Sequence, residues 1–167
     1  MNPRIIWKGC LSLIFAATLL AASPAQAVAQ GQGGGNSKKE QKQVNKDANK
    51  LAGTAEQAAD ELGRDVVFCI LAAHTTGVGT AQELRDKFNH LTDVPFGQFV
   101  AAVIMADRID KPLDDILTKL QAGESIGQIS KDYDVNMGEL RQGFGQFRSE
   151  LARSMTNPPT KNCFSTP

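Results

Sequence analysis

The segment FGQFVAAVIMADRI, residues 96–109, decides the fold class of this chain. Its apolar residues fall on nearly every side of a 3.6-residue helix, and such a helix has to be buried among others. The flanking segments carry apolar residues three and four positions apart, which is the spacing of one helix face. No segment alternates apolar and polar residues as a half-buried strand does. The sequence therefore predicts an all-α domain with residues 96–109 at its centre.

Capping residues mark where the other helices begin. Thr54, Thr80 and Asn136 are each followed three residues later by Gln or Glu, which is the spacing of a capping box. Pro112 suits the first turn of a further helix, and Ser125 suits the cap of a short one. With the central segment, these signals predict a small bundle of about five to six helices.

The first predicted helix starts at Thr54 and runs to the stretch HTTGVG, residues 74–79. One of its faces carries small and apolar residues at steps of four, four, three and four: Ala58, Leu62, Val66, Cys69 and Ala73. We expect this face to join the core.

Two helix pairs about thirty residues apart share one construction. Residues 84–91 followed by FGQF, 96–99, parallel residues 113–120 followed by IGQI, 126–129. In each pair, Gly97 or Gly127 is expected to let the second helix start close against the first.

The first 27 residues have the three parts of a secretory signal peptide. A basic start precedes an uncharged apolar run over residues 11–22, and the small residues Ala25 and Ala27 end the segment. The run is short for a membrane span, and no second apolar segment follows it. We expect cleavage after Ala27 and a periplasmic or secreted protein without a transmembrane segment after processing, with retention as an anchor as the alternative.

Residues 28–52 are dominated by Gln, Gly, Asn and Lys, a composition typical of a flexible polar linker. A solvated linker or a frayed helix start explains their lysines, and electrostatic contact with an anionic lipid or polymer of the envelope is the alternative. The helical domain is predicted to cover residues 53–156, with a C-terminal tail over residues 157–167.

Cleavage would remove two of the 18 basic residues and none of the 18 acidic ones, so the mature chain is slightly acidic. Proteins that bind nucleic acid usually show a basic excess, and no nucleic acid is expected as a partner.

The stretch SIGQISKDYDVNMGELRQGF, residues 125–144, places apolar Ile126, Ile129, Leu140 and Phe144 around the small Ser130. On these positions the chain resembles the helix-turn-helix family. The wider segment 111–144 is also similar to a helix-turn-helix-like segment of small exported bacterial proteins of unassigned function. This second resemblance implies a location outside the cytoplasm and no particular activity.

In the helix-turn-helix family, the first turn of the second helix reads base edges in the major groove. Here that turn holds Met137, Gly138 and Glu139, which offer one apolar contact and one carboxylate that phosphates repel. Asp132 and Asp134 add acid at the turn, where the family commonly has a glycine. Sequence-specific DNA binding is therefore not expected.

Residues for catalysis, metal binding or cofactor binding are not indicated. His74 and His90 lack the spacing of metal ligands and have no Cys-x-x-Cys partner. The favoured function is an exported, non-enzymatic helical protein that binds an envelope component or a protein partner, through an exposed apolar groove beside Phe144 and Phe147. The alternatives are a helix-turn-helix DNA-binding protein with a misread N-terminus, and an exported enzyme built around His74 and nearby acids.

Three cysteines are present, and Cys10 would leave with the signal peptide. An oxidising compartment is expected to join the other two, Cys69 and Cys163, in a disulfide. The alternative is a buried apolar Cys69 with a free thiol at Cys163.

Overall fold

A computed structural model describes residues 38–159 and 163–164. These residues form seven α-helices and no strand, which confirms the all-α prediction. The helices are α1 (Lys38–Leu62), α2 (Arg64–His74), α3 (Ala81–Asn89), α4 (Phe96–Ile109), α5 (Leu113–Gln121), α6 (Ile126–Asp132) and α7 (Met137–Thr156). The predicted signal peptide, residues 1–27, and residues 28–37 of the predicted linker lie outside the described residues.

The central helix is α4, as the apolar segment predicts. All its residues from Phe96 to Ala106 are buried except Gln98. Phe68 of α2 packs on Phe96 and Phe99 edge to face, with ring centroids 5.4 and 6.1 Å apart. Edge-to-face packing suits the charge distribution of aromatic rings, so this cluster anchors α2 to α4.

The first helix begins at Lys38, and the linker prediction is therefore wrong for residues 38–52. Apolar residues run through this part of α1 at steps of four, three, four and three, and all are buried: Val44, Ala48, Leu51, Ala55 and Ala58. This narrow seam packs against α4, α6 and α7. Lysine and glutamine are good helix formers, so a narrow seam is enough once neighbouring helices cover it.

The predicted cap at Thr54 is also wrong. Thr54 lies inside α1, where its hydroxyl donates a hydrogen bond to the carbonyl oxygen of Lys50 at 3.0 Å. The helix predicted to run on through residue 73 ends instead at Leu62. Gly63 has φ +88°, a conformation that favours glycine and stops a helix. The new helix α2 buries Val67, Phe68, Ile70 and Leu71, so its core face is not the predicted one.

The other predicted helix starts are confirmed. Thr80 and Glu83 form a reciprocal capping box at α3, and Ser125 and Gln128 form another at α6. At α7, the side chain of Asn136 accepts hydrogen bonds from the backbone N–H groups of residues 138 and 139.

The two predicted helix pairs, α3–α4 and α5–α6, contact α1 through equivalent hydrogen bonds. The N–H of Gly97 donates to Glu56 Oε1 at 2.8 Å, and the N–H of Gly127 donates to Asn45 Oδ1 at 2.6 Å. Positions 45 and 56 are about three helical turns apart, so both acceptors lie on nearly the same side of α1. Each hydrogen bond satisfies an N–H at a helix start that has no partner within its own helix.

Gly97 and Gly127 also bring the backbones of α4 and α6 close to the backbone of α1, at two positions of α1 separated by the same number of turns. A Cβ on Gly97 would lie 2.7 Å from the carbonyl carbon of Ala52, and one on Gly127 would lie 2.6 Å from the carbonyl oxygen of Gln41. Positions 41 and 52 are again three turns apart. The glycines therefore let α4 and α6 start against α1, and the prediction that they bring each helix close to the first member of its own pair is wrong.

Candidate functional site

The predicted partner-binding residues Phe144 and Phe147 lie in the core. Phe144 is 1% exposed and Phe147 is fully buried, and both face inward from α7. Neither side chain is accessible to a partner, so the assignment of partner binding to these two residues is wrong. The expected apolar groove beside their helix stays a prediction. The 3.6-residue pattern correctly placed them on one face of α7, but a face pattern alone does not distinguish a core from a docking surface.

The predicted cysteine pair is joined in the structure. Cys69 of α2 and Cys163 form a disulfide with a Cα–Cα distance of 5.7 Å. The next residue, Phe164, packs against the core, and the guanidinium of Arg85 lies 4.2 Å from its ring centroid. The disulfide and this cation–π contact hold the C-terminal residues Cys163 and Phe164 against α2 and α3.

His74, the histidine considered for catalysis, lies at the end of α2 against α7. Its Nδ1 is 2.5 Å from Glu150 Oε2, and its ring lies 5.0 Å from that of Phe147. Its Nε2 is buried and has no hydrogen-bond partner among the described residues. A Ser–His–acid arrangement needs a nucleophile at that nitrogen, so the pair orients the imidazole without supplying a nucleophile.

The helix-turn-helix-like segment is formed by α6 and α7. Ser130, where the helices cross, is fully buried, and its hydroxyl donates to the carbonyl of Gly127 and lies 3.3 Å from Met137 Sδ. Met137 itself is buried, so the first turn of α7 exposes the carboxylate of Glu139 and little else. The turn residue Asp134 has φ +49°, a conformation in which glycine is more favourable.

A surface groove of about 710 Å³ lies between residues 77–79, α3 and α5. An ion pair between Lys87 and Asp114 crosses it. Glu83 at its edge accepts a hydrogen bond from the N–H of Thr80 at 2.7 Å, and this bond lowers the pKa of Glu83. This acid thus serves the cap of α3.

The most distinctive surface is the outward face of α1, which we call the lysine face. It consists of five exposed lysines: Lys38, Lys39, Lys42, Lys46 and Lys50. Lys42 and Lys46 lie nearly opposite the buried seam on the helix circumference. Over a length of about 18 Å, the helix therefore presents ammonium groups on one side and its apolar seam on the other.

Helix propensity favours lysine in α1, but it does not explain why five lysines lie on one side of the helix. Positive charges in the first turns oppose the helix dipole, which favours acidic residues there. Lys38, Lys42, Lys46 and Lys50 are also spaced four apart, and like charges at that spacing repel one another. Of the five lysines, only Lys50 forms an ion pair among the described residues, at 3.9 Å from Asp47. The lysines are evident in the sequence, but the helix that aligns them is not.

Two acids lie within the stretch of α1 that carries the lysines: Glu40, exposed in the first turn, and Asp47, which is paired with α7. Arg141 Nε donates to Asp47 Oδ2 at 2.7 Å, and Gln43 also donates to this carboxylate. Burial by itself raises the pKa of Asp47, but the hydrogen bonds from Arg141 and Gln43 and the charges of Arg141 and Lys50 together lower it. Asp47 therefore stays ionised at neutral pH and ties α1 to α7.

Within the described residues, no helix is both long and apolar enough to cross a membrane, and no three His, Cys, Asp or Glu side chains are grouped as metal ligands. Comparisons with protein-family models, with curated proteins and with solved structures found no match.

Proposed function

We propose that this protein is an exported, non-enzymatic helical domain that binds an anionic component of the cell envelope through the lysine face of α1. The observation that carries the proposal is the alignment of five exposed lysines on one side of a packed helix, in positions that weaken the helix itself. Charges that cost stability are often retained for binding.

Export is supported by two independent features. The N-terminal 27 residues have the order of a signal peptide. The disulfide between Cys69 and Cys163 is of a kind that persists in oxidising compartments and is rare in the cytoplasm. Mass spectrometry of the native N-terminus after cell fractionation tests export. A soluble native protein that retains Met1 to Ala27 would contradict it.

Retention on immobilised heparin, used as a polyanion, tests the binding face. The double variant Lys42→Gln, Lys46→Gln should elute at clearly lower salt than the parent protein, since two of the aligned charges are removed. A matched control, Lys111→Gln with Lys131→Gln, removes the same charge from one exposed lysine in the loop before α5 and one on α6, and should elute close to the parent. Equal shifts for both variants would show that net charge alone governs retention, and would contradict the proposal.

A further inference from the structure

We infer that the anionic component is the phospholipid surface of a membrane, and that α1 lies along it with its lysine face toward the headgroups. This inference rests on the proposed function and names its partner. It concerns peripheral binding by charge and requires no part of the helix to enter the hydrocarbon.

The chemistry of the lysine face distinguishes a lipid surface from a nucleic acid. The sequence of α1 contains no arginine and no aromatic residue. Nucleic-acid sites typically add arginine forks to phosphates and aromatic rings that stack on bases. Lysines alone, spread along one helix side, suit the diffuse negative potential of a headgroup layer.

The lysine face also lacks the apolar residues that an inserting helix needs. The apolar residues of the seam are buried against α4, α6 and α7. The exposed residues of α1 include no large apolar side chain; besides the five lysines they are Glu40, Asn49, Gly53, Gln57, Asp60 and Glu61. Helices that insert into the interface carry exposed Leu, Phe or Trp for that purpose. Binding through this face is therefore electrostatic and should be strongly weakened by salt.

The position of the lysine face in the chain also favours a lipid surface as its partner. Lys38 follows the last residue of the apolar run, Ala22, by sixteen positions. A signal peptide enters the membrane during export, so a separation of sixteen residues would bring the lysines of α1 near the lipid surface at that stage.

Sedimentation with vesicles tests the inference. Protein from the soluble envelope fraction, with its N-terminus measured by mass spectrometry, is mixed with vesicles of 30% phosphatidylglycerol in phosphatidylcholine or of phosphatidylcholine alone. We expect binding to the anionic vesicles at 0.1 M NaCl, where the Debye length is about 10 Å, and its loss at 1 M, where it is about 3 Å. Each lysine near such a surface contributes roughly fivefold, so Lys42→Gln with Lys46→Gln should weaken binding about 25-fold.

The control Lys111→Gln with Lys131→Gln should bind the anionic vesicles within about twofold of the parent protein. Absence of vesicle binding alongside lysine-dependent retention on heparin would overturn the lipid inference and leave the proposed function standing. Absence of both would overturn both. Tighter, lysine-dependent binding to random duplex DNA than to the vesicles would assign the face to nucleic acid, and salt-resistant binding to both vesicle types would assign binding to an apolar segment.

Discussion

Adding one methyl group at Gly97 should destabilise the whole domain, because this glycine sets the distance between α4 and α1. A Cβ there would lie 2.7 Å from both the carbonyl carbon and the Cα of Ala52, which are backbone atoms and cannot rotate away. The carbonyl oxygen of Ala52 would lie closer still, and ordinary contacts begin near 3.4 Å, so the start of α4 would have to retreat by at least about 0.7 Å. This retreat would stretch the 2.8 Å hydrogen bond from Gly97 N–H to Glu56.

The free-energy change of Gly97→Ala follows from these displacements. Overpacking of this kind costs about 1–3 kcal/mol, and weakening one buried hydrogen bond adds about 1 kcal/mol. Alanine recovers up to about 1 kcal/mol through its better helix propensity. The net loss is about 1–4 kcal/mol, which corresponds to roughly 4–16 °C in the melting temperature of a domain of this size.

The matched control is Gly53→Ala in α1. Gly53 lies inside the helix with nothing within 4 Å of the added Cβ, so only the propensity gain remains. We expect this variant to be more stable than the parent by about 0.5–1 kcal/mol. Thermal unfolding followed by circular dichroism compares the two. A Gly97→Ala protein as stable as Gly53→Ala would refute the docking role assigned to Gly97.

Three further predictions concern other contacts. Peptide mapping without reductant should recover the Cys69–Cys163 cross-link, and two free thiols in the native protein would contradict the disulfide. A Cys163→Ala variant should lose up to about 4–5 kcal/mol of stability, which is the chain-entropy estimate for a sequence separation of 94. Asp47→Asn should cost about 1 kcal/mol at pH 7 in chemical denaturation. Folding lowers the pKa of Asp47, so the stabilisation by its carboxylate is present above the unfolded pKa of about 3.9 and is lost as the pH falls through the folded pKa. The stabilities of the parent and Asp47→Asn proteins should therefore converge toward pH 2. A difference in stability that stays constant with pH would argue against the pairing with Arg141. Asp134→Gly should raise stability by roughly 0.5–1 kcal/mol by relieving φ +49°, and a loss would show that the aspartate side chain compensates for its backbone.

Local signals in the sequence predicted much of the fold because they act over three or four residues. The capping box at Thr80, the cap at Ser125 and the all-round apolar segment 96–109 each specify a helix from within. The disulfide could be proposed because only two cysteines follow the predicted cleavage site.

The first half of α1 was missed because its stability comes from other helices. Among so many polar residues, the seam of Val44, Ala48 and Leu51 is too narrow to indicate a helix. That seam is buried only because α4, α6 and α7 pack against it. The same limit explains the error at Phe144 and Phe147, since periodicity gives a face but not what lies against it.

The sequence by itself determined that the chain is helical, where most of its helices start and which residue types it offers for binding. Only the tertiary structure decided that five lysines share one side of a helix, and that Gly97 and Gly127 meet that helix three turns apart. The physical reason is the distance along the sequence over which each effect acts. Capping and periodicity depend on neighbours in the chain. Burial and close backbone approach depend on residues far apart in the sequence, such as Gln41 and Gly127.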